Sequence, residues 1–408
     1  MEKFYKTRIG KTELDADRKL TRLSNCLELI AKSEYKTELT RLQNFEAIKD
    51  ELVALWGLHK IVASIIARDE EYQKVDIVSH YTQVTYVPTA DQDQILLQFN
   101  NIEDYAQPSL QAQTIYGAKG DYFDCFYKLE RFANFCISHG HTDLLEDNII
   151  RLNKQYQEEE NFKKSFRLLL DKENNYYVRA ITSVNRYFDY NVRFSLFVTI
   201  VALHKLQKDK NVHFEIDACE YDESSIKIFF EKDGYTNIPQ IGRMSFMLEM
   251  SNDEIKREAF RFSSLIFISN KSRDGELNIY LKPRSVKTEF ISIKHSYKPE
   301  TVIEKMSKLD EFIKQAEEEM KEDLIDFSKV ENADHLRHRL LRKIEKSRES
   351  KLSENGSLKS ELRQTLSQKI NRITELLALM DKVDKIVTDL ELKEYLRYIF
   401  YEVLSKKK

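Results

Sequence analysis

VHFEIDACEY (212–221) and SIKIFFEK (225–232) alternate apolar and polar residues, with Asp222-Glu223-Ser224 between them. Residues two apart share one face of a strand. The pair therefore predicts a β-hairpin with Phe214, Ile216 and Ala218 turned inward. Further strands are predicted at 246–250, 264–269 and 276–282, with a helix over 252–262 and a turn at Asp274-Gly275. Upstream, NNYYVRAITS (174–183) reads as β. FSLFVTIVALHKL (194–206) is too apolar for a surface element and predicts a buried helix. Residues 173–298 thus read as a mixed α/β domain.

On the N-terminal side, Leu20, Leu23, Leu27, Ile30 and Ala31 recur at helical spacing. So do Phe45, Ile48, Leu52, Leu55, Trp56, Ile61 and Ile65, which predicts a helical hairpin over 15–31 and 42–67. VTYVPTADQDQILLQF (84–99) predicts a short β-hairpin with Pro88 at a sheet edge. A polar loop over 100–120 precedes helices from 121 to Gly140 and over 144–171. Residues 1–172 read as a mainly helical domain with one short hairpin.

On the C-terminal side, Val302, Met306, Leu309, Ile313, Ala316 and Met320 form a heptad seam. Residues 300–326 carry ten acids and four lysines, and 333–352 carry seven Lys or Arg and three acids. Asn355-Gly356 breaks the chain before a last helix over 357–404. Residues 299–408 read as a charged helical hairpin or coiled coil. A seam needs a partner helix, so a protein partner or homo-oligomer is expected through residues 300–404. The expected class is α+β, predominantly helical, with a helical N-terminal region, a β-rich middle and a long helical coiled-coil-like C-terminal tail.

Bulk composition agrees with long helices. Of 408 residues, 33% are charged, and there are only 9 Gly and 5 Pro. Net charge is −3, so attraction to nucleic acid or an anionic membrane is not a property of the whole molecule. The longest apolar run, 194–203, is about half a membrane span. The N-terminal twenty residues have no apolar core of the signal-peptide kind. Cys26, Cys125, Cys136 and Cys219 are scattered. The expectation is a cytoplasmic protein with free, buried thiols and no membrane association.

Three constellations bear chemistry. Cys136, His139 and His141, with Cys125 upstream, are the residue types that bind zinc. Against that, Cys136 lies on an apolar helix face and His139 suits a helix C-terminus. Glu215 and Asp217 share a strand face, and Lys227 comes from the neighbouring strand. Two carboxylates and a lysine so placed would hold magnesium for phosphodiester hydrolysis. The same acids equally form the solvated face of a sheet. No other cofactor motif appears. The strongest binding feature is ADHLRHRLLRKIEKSRESK (333–351). Arg339, Arg342, Lys343 and Lys346 fall three or four apart and present a basic face to phosphates, or neutralise the acidic helix before them.

Arg179, Ser183, Tyr187 and Asp189, then Gly242 and MSNDEIKREAF (250–260), carry a resemblance. Over about residues 174–270 the chain is similar to a family of phage- and plasmid-encoded proteins of unknown function. That family has an Asn-Ser-Glu-Val-Gly segment, matched here by Asn252 and Glu254 and departed from at Asp253 and Lys256. The resemblance implies a mobile-element or host–phage conflict setting and no particular reaction. It makes Arg179, Asn252 and Glu254 the positions of interest. The expected function is a non-catalytic interaction or nucleic-acid-associated protein of a phage, plasmid or bacterial anti-phage defence system. The alternatives are a metal-dependent nuclease using Glu215 and Asp217, or a pure protein scaffold in a larger complex.

Overall fold

A computed structural model describes residues 4, 6–89, 91, 93–100, 102, 105, 108–125, 127–159, 162–184, 188, 190–255, 259–272, 275–283, 291–329, 332–353 and 355–405. The N-terminal region is not helical, and that expectation is corrected. Its first element is a strand, β1 (Thr7–Gly10), paired antiparallel with residues 218–221 far along the chain. Short pieces follow: α1 (Lys11–Leu14), β2 (Thr21–Arg22), α2 (Leu23–Cys26), α3 (Lys36–Leu42) and β3 (Leu52–Val53), before α4 (Leu58–Glu71). The second predicted helix, over 42–67, is broken where Asn44 and Gly57 take left-handed φ angles of 49° and 73°, and the first where Arg18 takes one of 45°. At Gly57 the backbone also runs against the first helix. A Cβ there would lie 2.6 Å from Leu14 Cβ, so only glycine fits.

The next stretch builds a six-stranded sheet from β4 (Tyr72–His80), β5 (Val84–Pro88), β6 (Ile95–Asn100) and β7 (Ser109–Thr114). After α5 (Ala118–Asp124), α6 (Glu130–Ser138) and α7 (Thr142–Tyr156), β8 (Lys163–Asp171) and β9 (Tyr176–Ser183) complete it. The order is β4-β8-β9-β7-β6-β5, with β7 and β9 parallel and the other neighbours antiparallel. The β5–β6 hairpin forms as expected, with Pro88 on an edge strand. The helix expected over 144–171 is instead α7 followed by β8. Phe-Arg-Leu-Leu-Leu is a short apolar run that suits a central strand as well as a helix. Pairing with β4 on one side and β9 on the other decides it. Phe166, Leu168, Val178 and Ile181 then pack with Phe123, Cys136 and Leu145 of the helices in one core.

The β-rich middle is present. α8 (Val192–Lys210) leads into β10 (Phe214–Tyr221), β11 (Ser225–Lys232), β12 (Thr236–Ile238), β13 (Gly242–Asp253), β14 (Phe260–Ser272), β15 (Gly275–Leu281) and β16 (Ile291–Ile293). With β1 these make an eight-stranded antiparallel sheet of order β1-β10-β11-β13-β14-β15, with β12 on β13 and β16 on β14. The helix expected over 252–262 is replaced by the end of β13 and the start of β14. Residues 256–258 and Asp274 lie outside the described residues. α8 is buried nearly all round, as its composition required. Its N-terminus is capped by Asn191, whose Oδ1 accepts the Phe194 N–H at 2.9 Å.

Among the described residues the tail forms seven helices: α9 (Pro299–Met306), α10 (Leu309–Ser328), α11 (Ala333–Glu345), α12 (Ser350–Ser353), α13 (Gly356–Thr365), α14 (Ile373–Ile386) and α15 (Leu390–Leu404). The long coiled-coil-like tail is corrected by this. Val302, Met306, Leu309, Ile313, Ala316 and Met320 are all buried, but in a core shared with Leu14, Leu196, Phe246 and Leu404. The seam has its partner within the chain, so it presents no bare stripe to a second copy.

Replacing Gly57 by alanine sets a Cβ against Leu14 in a left-handed turn. Gly57→Ala is expected to lower stability by about 1–3 kcal/mol, read from a urea unfolding curve. A wild-type midpoint would show that the turn relaxes at no cost.

Candidate functional site

Arg179, Asn252 and Glu254 come together at the joint between the two sheets. Arg179 is in the middle of β9, fully buried, with Nη1 2.6 Å from Glu254 Oε2 and 3.1 Å from Ser224 Oγ. The other oxygen of Glu254 accepts the Val192 N–H of α8 at 2.8 Å and receives Lys74 Nζ of β4 at 2.8 Å. Arg167 of β8 donates to the Glu254 carbonyl at 2.8 Å. Asn252 Nδ2 donates to the Tyr190 carbonyl at 2.8 Å, just before α8. Glu254 therefore stands at the N-terminus of α8, where the helix dipole favours negative charge, and not in the first turn of a helix of its own. Burial alone would raise its carboxyl. Lys74, Arg179 and Arg167 outweigh burial and hold it at about 2. Around this core, Asp69 of α4 bridges Lys74 at 2.7 Å and Arg193 of α8 at 2.5 Å. The arrangement is a closed ionic joint with its charges turned onto one another. Tyr187 and Asp189 lie outside the described residues.

Glu215 and Asp217 do not converge on Lys227. Glu215 is held by Lys11 Nζ at 2.9 Å, and Lys11 also reaches Glu231 at 3.3 Å. The β10–β11 register shifts between Ile216 and Ala218, which makes Asp217 a bulge. Past the bulge the faces exchange. Cys219 and Tyr221 join Phe214 and Ile216 in the main core, while Ala218 turns to the opposite face with Phe229, Met247 and Leu265. The expected inward position of Ala218 is corrected on this ground. Asp217 accepts a hydrogen bond from Tyr280 Oη at 3.3 Å, and burial pushes its carboxyl up. Lys227 stands opposite Glu220 and pairs with Glu394 of α15.

That opposite face holds a group the sequence reading missed. Lys282 lies between Glu249 Oε1 at 2.7 Å and Glu394 Oε1 at 2.5 Å. Lys282 and Glu249 are each 1% exposed. Burial lowers the Lys282 ammonium, and the two carboxylates more than restore it, so it is held above its ordinary value. Arg397 lies over the Tyr280 ring at 4.7 Å. The signal was available: Glu249 is the lone charge in the apolar run 246–250, and such a charge needs a buried partner.

The zinc-type residues are also separated. Cys136 is fully buried in the six-stranded core, whereas His139 and His141 are exposed against the Phe135 ring, at 4.7 and 5.7 Å between centroids. Among the described residues no group of three His, Cys, Asp or Glu is placed to hold a metal ion.

The basic segment forms α11 with its apolar side, Leu336, Leu340 and Ile344, buried. Lys343 reaches Glu402 of α15 at 2.6 Å, and Arg337 turns inward to Asp334 at 2.7 Å. Neither pair involves α10. Arg342 and Lys346 are exposed and Arg339 is partly so. None of these three has an acidic partner among the described residues. His335 and His338 are exposed on the same side. Lys343 and Arg337 thus pair with acids outside the acidic helix α10, and Arg342 and Lys346 face solvent.

No protein-family model matches the chain, and no curated protein or solved structure is significantly similar to it. The resemblance over 174–270 has no counterpart in these comparisons. Among the described residues no helix is long and apolar enough to cross a membrane.

Two outcomes follow from the buried charges. Glu254→Ala strands the Arg179 guanidinium and is expected to cost about 3–5 kcal/mol in urea unfolding. Because its folded pKa is depressed, the stability that Glu254 supplies is complete above its unfolded pKa near 4.5 and is lost as pH falls toward about 2. The wild type should lose stability through that window more steeply than the variant. Separately, Lys282→Met should cost about 3–5 kcal/mol, and adding Glu249→Gln should recover most of it. A double variant that is simply the sum of its singles would show that the pair does not act as a unit.

Proposed function

We propose that this is a non-catalytic nucleic-acid-binding protein that grips phosphates with the solvent side of α11. The observation that carries this is the stripe of Arg339, Arg342 and Lys346 along one helix face, Arg342 and Lys346 exposed and Arg339 partly so, none with an acidic partner among the described residues. Unpaired cations on one helix face bind a polyanion by releasing its counterions. Net charge of −3 does not oppose this, because association is governed by the local field within about a Debye length.

The separation of Glu215 and Asp217 from Lys227 supports binding without turnover. Burial of the heptad seam supports leaving self-association out of the proposal. The resemblance over 174–270 supports a phage, plasmid or anti-phage setting, and four unpaired thiols support a reducing cytoplasm.

Purified protein should bind labelled nucleic acid with an affinity that falls steeply with salt. The triple variant Arg339→Glu, Arg342→Glu, Lys346→Glu should lose that binding and keep its melting temperature. Absence of binding at low salt would overturn the proposal and point to a scaffold with protein partners only.

A further inference from the structure

We infer that the outer edge of β4 is a dimer contact: it pairs antiparallel with β4 of a second copy of this chain, about a twofold axis through Val75. The heptad seam is buried, so self-association needs another surface. This one uses no residue of α11 and stands whether or not that helix grips phosphates.

β4 ends the six-stranded sheet and pairs only with β8. A strand sends the N–H and C=O of alternate residues to opposite sides, so every second residue of β4 points its backbone away from the sheet. From Gln73 to Ser79 none of these outward groups meets another backbone group among the described residues. Gln73, Asp76 and Val78 are exposed. Such an edge is a template for a further strand, and folded proteins blunt it with proline, a bulge, short length or an outward lysine. β4 has none of these. It is 9 residues long, and its register with β8 runs unbroken from Tyr72–Asp171 to His80–Lys163. Its lysine, Lys74, is turned to Glu254 and Asp69. The other sheet ends are guarded. β5 has 5 residues and ends in Pro88, and β1 has 4. Just past β15, the Lys282 N–H donates to the Arg397 carbonyl of α15.

The charges on β4 name the occupant. Residues directly opposite in an antiparallel pair share a face and interact. With the axis through Val75, Lys74 of each copy lies opposite Asp76 of the other, and Tyr72 lies opposite the exposed Val78. Moving the axis by one residue sets either Asp76 or Lys74 against itself, and like charges so placed are destabilising. Of these three registers, the one on Val75 alone joins opposite charges. Both partners can serve. Asp76 is 46% exposed and meets Arg167 at 3.4 Å. An ammonium has three N–H donors, and Lys74 Nζ uses two, on Asp69 at 2.7 Å and Glu254 at 2.8 Å. The pairing is isologous and closes on itself. The joined sheet ends at the proline-guarded β5 of each copy, so it does not grow into a fibre.

The test uses the full chain in sedimentation velocity at rising concentration. Mass should climb from 48.4 kDa toward twice that, and Asp76→Lys should weaken the dimer about tenfold. Disulfide trapping reads the register. Position 75 faces itself within about 5.5 Å between Cα atoms, so Val75→Cys should give a covalent dimer on mild oxidation. Position 73 lies about 14 Å from its own copy, so Gln73→Cys should not. The unsubstituted chain, with its own free thiols, is the blank. Where Asp76→Lys also lowers the melting temperature through Arg167, trapping at position 75 decides. A mass of 48.4 kDa at every concentration would overturn the inference and leave the edge to a strand of another protein. A dimer that Val75→Cys does not trap, or that Gln73→Cys traps equally well, would overturn it too and place the contact on another face or register.

Discussion

Glu254 is where the molecule is joined. One carboxylate receives Lys74 from β4 and Arg179 from β9, and accepts the first amide of α8, while its own carbonyl receives Arg167 from β8. Taking these charges out of water is costly, and only their mutual geometry offsets the cost. The group tolerates no partial assembly. If the six-stranded sheet shifted against α8, several buried charges would lose their partners together. The joint therefore fixes how the two cores meet, which apolar contact alone would leave loosely specified. Lys282 with Glu249 does the same between the large sheet and α15. Here too a buried lysine donates to one glutamate of the large sheet and to another of the covering helix.

Against these closed pairs, the surface of α11 stands out by contrast. Most cations with a nearby acid use it. Lys343 finds Glu402, Lys351 finds Asp389 and Arg363 finds Glu345. Of the acids of α10, Glu317 is met by Lys232 and Asp323 by Tyr401, while Asp310 and Asp326 pair with lysines close by in sequence. The two oppositely charged helices are neighbours in sequence, yet no ion pair joins them among the described residues, and that leaves the basic face to solvent.

The elements legible in the sequence were those whose period is unambiguous. The β10–β11 pair, the β5–β6 hairpin and the amphipathic face of α11 were read from spacing, and α8 from a run too apolar for a surface element. The N-terminal region was misread because Leu20 to Ile65 carry helical spacing without the length of uninterrupted helix to match it. Asn44 and Gly57 cut it, and the edge pairing of β1 with β10 is invisible to any local window. β8 was lost because an apolar run has no period. The bulge at Asp217 moved Ala218 to the other face, and one extra residue leaves no mark in an alternating pattern. At the candidate interface the cations themselves were legible, but their lack of partners was not, since that depends on where α10, α13 and α15 lie. The joint was legible only as residue types: Arg179 and Glu254 were named, and the pairing between them was not.

The main core draws on Leu14 near one end and Leu404 near the other, and β1 closes an edge of the large sheet. On a ribosome this sets an order of events. When β16 has emerged, the large sheet still lacks α9 to α15, the helices that bury much of its apolar surface. At about 5–20 residues per second, the hundred or so remaining residues take several seconds or more to appear. Through that interval the nascent chain carries an uncovered β-sheet. Its vulnerability to aggregation is thus greatest between the emergence of β16 and that of α15, and a chaperone acting on it would have its widest opening in that interval.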